Sequence, residues 1–108
     1  MPPKEFKYFI SEDAFVSVFF RTNRGVIADF VVKLNAIIDG RAYEIVRFDT
    51  AHGGVHKDVL RPDGTKEKVV QFRYLTYKQG LDLATTDVEE HMEFYIERFK
   101  KWLKQKGK

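Results

Sequence analysis

The sequence predicts an α+β fold: a twisted antiparallel β-meander of about five strands, with a C-terminal amphipathic helix packed on one face. Three observations predict it. β-Branched and aromatic residues alternate through the first two-thirds of the chain. Turn signals punctuate that stretch at Asn23-Arg24-Gly25, Asp39-Gly40, Gly53-Gly54 and Arg61-Pro62-Asp63-Gly64. From about Asp87 the apolar period changes from two to that of a helix.

The elements follow in order. Residues Met1 to Glu5 read as a Pro-containing lead-in, followed by an apolar segment, Phe6 to Ile10. Phe15 to Phe20 is apolar on both faces, as a central strand requires. Val26 to Ile38 carries the strongest alternation. Phe30, Val32, Leu34, Ala36 and Ile38 share one face, with Lys33 and Asn35 on the other. Asp39-Gly40 suits a type I′ turn. Arg41 to Ala51 returns as a strand with Val46 and Phe48 on one face. Val55 to Leu60 is a shorter strand. Pro62 presets φ and Gly64 tolerates positive φ in the next turn, and Lys66 to Leu75 is the last strand. Thr86 and Glu89 form an expected capping box for one helix from Asp87 to about Lys104. Val88, Met92, Tyr95, Ile96, Phe99 and Leu103 recur on its inner face. Six acids lie between Asp82 and Glu97 and six bases between Arg98 and Lys108, in the order the helix dipole favours. A shorter helix around Thr76 to Leu83 is a further expectation, weakened by Gly80.

Length and composition bound the rest. A chain of 108 residues fits one domain, residues 1–108. It buries enough surface for one core. Apolar residues make up 44% and aromatics 15%, which argues for packing over disorder. No cysteine is present, so disulfides and thiolate metal sites are excluded. No stretch reaches the roughly 18 apolar residues of a membrane span. A cytoplasmic protein with no membrane association is expected. The net charge of +3 permits nucleic-acid binding without requiring it.

The stretch from Arg47 to Asp58, RFDTAHGGVHKD, concentrates the chemistry. It holds His52 and His56, Asp49 and Asp58, Arg47 and Lys57, and Arg61 follows closely. Hairpin register decides which of them meet. A two-residue Gly53-Gly54 turn sets His52 opposite Val55 and Asp49 opposite Asp58. A three-residue loop sets His52 opposite His56, Thr50 opposite Asp58 and Phe48 opposite Leu60. The second is preferred because it pairs Phe48 with Leu60.

Two imidazoles near neutral pKa can share acid and base roles, and an aspartate can orient one of them. Arg47, Lys57 and Arg61 are the expected phosphate-binding cations, and His52, His56, Asp58 and Asp49 the expected catalytic groups. Such a set suits metal-independent cleavage of RNA. The same residues can bind a divalent metal through imidazole and carboxylate. They also read as an ordinary solvated hairpin tip, where polar residues are common. No Gly-rich phosphate loop or nucleophile elbow is present, and no cofactor is expected.

The stretch resembles a small uncharacterised prokaryotic family marked by an Arg-aromatic-Asp-Thr-Ala-His-Gly run, a His-x-Asp and a Pro-Asp-Gly turn. The matching residues are Arg47 to Gly53, His56, Asp58 and Pro62 to Gly64. It is more distantly similar to the TumE family of toxins, whose Arg-Tyr-Asp-Asn stretch precedes several histidines. Phe48 and Asp49 correspond, Thr50 stands where that family has Asn, and its dense histidine run is missing. The resemblance implies toxin-like action on RNA and a cognate antitoxin-like partner. The alternative is a non-enzymatic protein-binding or assembly module using the uncovered sheet face, where Phe15, Phe19, Val31 and Ile37 are expected. A third is a metal- or small-ligand-binding protein. A homodimer is expected under either of the first two readings.

Overall fold

The computed structural model describes residues 3–51 and 53–106. Six strands form one antiparallel sheet in sequence order: β1 (Lys4–Ser11), β2 (Ala14–Asn23), β3 (Val26–Ile38), β4 (Arg41–Asp49), β5 (Val55–Leu60) and β6 (Lys66–Phe72). Two helices follow, α1 (Tyr77–Glu90) and α2 (Met92–Lys106). The α+β meander is therefore as the alternation predicts, with one more strand. The added strand is β1, where Phe6 and Tyr8 lie opposite Val18 and Val16 of β2. Its alternation of Phe6, Tyr8 and Ile10 is obscured by the apolar Phe9 between them.

The turns obey local sterics. Arg24 and Gly25, and likewise Asp39 and Gly40, all have positive φ, the requirement of a two-residue turn that matches strand twist. Val16, Val18, Phe30, Val32, Leu34, Val46 and Phe48 form the inner face of the sheet, and all are buried. A bulge opposite Leu34 and Asn35 adds one residue to β4. Ile45 and Val46 both become buried there, although they are neighbours in sequence. The same bulge changes the parity of the strand. Glu44 and Arg47, three apart, consequently reach the same outer face, with Arg47 Nη2 3.4 Å from Glu44 Oε1.

The helical region differs from the expectation at its start and its middle. Thr76, and not Thr86, is the N-cap. Its hydroxyl accepts from Gln79 N while Gln79 Oε1 accepts from Thr76 N, completing a capping box. Thr86 lies inside α1. Gly80 is not a weakness there but a packing contact. A Cβ at this position would stand 2.6 Å from Val55 Cγ2 and 3.2 Å from Phe30 Cζ. Only glycine lets the helix lie this close to β3 and β5.

His91, with φ −112°, ends α1, and α2 starts at the next residue. Tyr95 N still donates to His91 O, so no loop intervenes between the helices. α1 packs on β3 and α2 on β4. Val88 on α1 and Tyr95 and Phe99 on α2 are buried, and Met92, Ile96, Trp102 and Leu103 are partly buried. No helix among the described residues is long and apolar enough to cross a membrane.

Candidate functional site

The β4–β5 register is neither of the two that the hairpin sequence suggests. Asp49 lies opposite His56, Phe48 opposite Lys57, Arg47 opposite Asp58, and Val46 opposite Val59. β4 ends at Asp49 and β5 begins at Val55, so the connection is longer than a two- or three-residue turn. Long-range contacts explain the difference. Phe30 N, on β3, donates to the buried Thr50 Oγ1 at 3.1 Å, which ties the end of β4 to its other neighbour. Val55 is held under Gly80 of α1. Neither anchor is local to the hairpin. His52 lies outside the described residues.

This register sorts the expected site residues by face, because neighbouring strand residues point to opposite sides. Arg47, Asp49, His56 and Asp58 face outward, away from the helices. His56 Nε2 is 2.7 Å from Asp49 Oδ1, and that oxygen also accepts from Ala51 N at 3.1 Å. Arg47 Nε stands 4.0 Å from Asp49 Oδ2. Asp58 Oδ2 is 3.4 Å from Lys66 Nζ. Asp49 and Asp58 are both buried.

Lys57 and Arg61 stand elsewhere. Lys57 faces the helices, over the rings of Phe48 and Tyr95. Its ammonium donates to the Tyr95 hydroxyl and lies 3.4 Å from Asp87 Oδ2. The Tyr95 hydroxyl donates in turn to Asp87. Burial, and then the Asp87 carboxylate, push the Tyr95 pKa well above its ordinary value, so the phenol stays a donor. Arg61 pairs with Glu67 and lies over the Trp102 ring. Of the three cations expected to bind phosphate, Lys57 and Arg61 are thus engaged in holding the helices and the β5–β6 turn, and Arg47 faces outward.

His56 and Asp58 of the outward group border a cleft of about 580 Å³ whose lining also includes Gly54, Lys66, Gln71 and Arg73. Lys66, Gln71 and Arg73 were not among the sequence candidates. Gln71 lies opposite His56 only because a bulge between Val59 and Leu60 shifts the β5–β6 register by one residue; the Arg61-to-Gly64 turn extended without it would set Val70 there. A second cleft of about 450 Å³ on the same face includes Lys7, Phe15, Phe19, Lys33 and Arg47. Phe15, Phe19 and Val31 occupy the outer face, where the alternation placed them, and are partly buried.

This arrangement can do two things chemically. The His56–Asp49 pair can hold an imidazole in one orientation for proton transfer. Asp49, His56 and Asp58 together offer donors suited to a hard or borderline cation. No curated protein and no solved structure matches the chain. A family model described as a domain of unknown function, DUF7718, matches residues 1–105, and the chain belongs to that family.

Proposed function

We propose that the outer sheet face binds single-stranded RNA and that the His56–Asp49 pair acts on its phosphodiester in a toxin-like, metal-independent cleavage. The observation that carries this reading is the 2.7 Å contact between His56 Nε2 and Asp49 Oδ1 beside a cleft bordered by Lys66 and Arg73. A carboxylate at that distance orients an imidazole as an acid or base. The neighbouring cleft adds Lys7, Lys33 and Arg47 beside Phe15 and Phe19. Cations interleaved with aromatics suit a phosphate backbone with unstacked bases. The likeness of the Arg47-to-Asp49 stretch to a toxin family points the same way.

In the proposed reaction the RNA 2′-oxygen forms a bond to phosphorus and the bond to the 5′-oxygen breaks. His56 takes the 2′-hydroxyl proton. His52 is the second imidazole the sequence supplies, and it returns a proton to the leaving oxygen. Lys66 and Arg73 offset the charge that develops on the phosphoryl oxygens. A cognate antitoxin-like protein and a homodimer belong to the same proposal.

Mixed-sequence single-stranded RNA, incubated with and without chelator, tests it. Cleavage should survive chelation and fall by about a hundredfold in His56→Ala or His52→Ala, the scale of a lost acid or base. Cleavage that persists equally in both variants removes the histidines from the reaction. If RNA is neither cut nor bound at low salt, where phosphate contacts are strongest, the protein-binding module takes its place. The exposed Phe6 and Phe9 on the edge strand β1 favour that second reading.

A further inference from the structure

One strand pair gathers three metal-ligating side chains on the outer face. β5 presents His56 and Asp58 two residues apart, and β4 sets Asp49 opposite His56. One ligand atom from each of Asp49, His56 and Asp58 lies within 4.8 Å of the other two. An ion about 2.1 Å from each ligand holds ligand atoms roughly 3 to 4 Å apart. The trio therefore needs to move by about an ångström or less, within reach of side-chain rotation.

Clustering alone does not make a site, but Asp58 adds an independent observation. It is 2% exposed, and its Oδ1 has no hydrogen-bond partner among the described residues. Among the same residues its other oxygen meets only Lys66 Nζ, at 3.4 Å, on a side chain that is 54% exposed. A buried carboxylate oxygen without a donor is costly and calls for a partner. Asp49, by contrast, is already oriented from outside the trio, by Ala51 N and by Arg47. Such outer contacts fix the direction in which a ligating carboxylate points.

We propose that Asp49, His56 and Asp58 bind one divalent transition-metal ion, of the Zn²⁺, Ni²⁺ or Co²⁺ class. One imidazole and two carboxylates are borderline to hard donors and suit these ions. Three protein ligands leave further positions for water or a small ligand from the cleft that His56 and Asp58 border. Arg47 and Lys66 offset part of the carboxylate charge, so the ion is held more weakly than in a closed four-ligand site. The ion engages an imidazole that the proposed cleavage uses, and occupancy would silence it. The site itself does not rest on the RNA reading, because binding is measured without RNA.

Chelator-stripped full-length protein titrated calorimetrically with Zn²⁺ tests the site, and Co²⁺ gives a visible absorption band that reports its coordination. One ion per chain is expected. Affinity should fall at least about tenfold in Asp58→Asn and in His56→Gln and stay unchanged in His91→Ala, whose histidine lies on the helices. Circular dichroism identifies a variant that fails to fold, and the remaining variant then carries the test. No binding by the folded wild type, or equal binding by all variants, overturns the proposal. Failure of RNA cleavage leaves it untouched.

Discussion

Lys57 and Asp58 are neighbours on β5, and they meet opposite fates. Lys57 turns toward the helices and finds Tyr95 and Asp87, with its ammonium over two aromatic rings. Asp58 turns outward, is buried more deeply, and leaves one oxygen unmet among the described residues. Outward-facing Arg47 likewise has a buried Nε with no hydrogen-bond partner among them. Buried polar groups are normally satisfied, because losing water without gaining a partner costs free energy. A network closed within the protein serves the fold. A group left open is a candidate for a partner from outside. The two faces of one strand thus divide structure from candidate function.

The covered face should be the costly one to disturb. Phe99 is 1% exposed and packs against Tyr43 at a ring separation of 5.4 Å. Phe99→Ala should lower stability by about 3–5 kcal/mol, measured by denaturant unfolding. A loss below about 0.5 kcal/mol would mean that α2 does not close the core.

A smaller effect is expected from Lys57→Met, which keeps an apolar stem over Phe48 and removes the charge. Asp87 and Tyr95 keep each other as partners. Stability should fall by about 1–2 kcal/mol, the scale of a hydrogen bond to a charged group. RNA affinity should not change. A weakened RNA complex with stability intact would return Lys57 to the phosphate-binding set and erase the contrast between the faces.

The smallest stability effect should come from Asp58→Asn. The substitution removes a buried carboxylate whose charge is only partly compensated, so unfolding in chelator should shift by less than about 0.5 kcal/mol or toward greater stability. The divalent-ion site should be lost in the same variant. A large destabilisation without metal would show that the outer face is closed by contacts within the protein after all.

Much of the fold was legible because its causes are local. Val26 to Ile38 alternates by residue type, and a strand projects alternate residues to opposite faces whatever lies around it. Asp39-Gly40 can adopt positive φ at both positions, and it does. The inner positions of the helical region were also legible, since Val88, Tyr95 and Phe99 are spaced for one helical face. The candidate site was legible only as a neighbourhood. His56, Asp49, Asp58 and Arg47 were named together, and all four face outward. Sequence proximity ignores the alternation of sides, which turns Lys57 to the helices, and it does not show Glu67 and Trp102, which Arg61 reaches only through the turn and α2.

By itself, then, the sequence determined five of the six strands, where most turns fall and which residues avoid water. Each of these follows from φ/ψ preference and from side-chain period within a few residues. Tertiary structure alone decided the β4–β5 register and how closely α1 lies on β3 and β5. Their causes lie far apart in the chain: Phe30 N bonded to Thr50, Gly80 seated on Val55, and Tyr8 donating to Glu89 across 81 residues. A one-residue slip in β4 or β5 would send His56 and Asp49 to different faces. The pairing at the centre of the candidate site is therefore a property of the packed core, because contacts made by β3 and α1 hold the two strands in step.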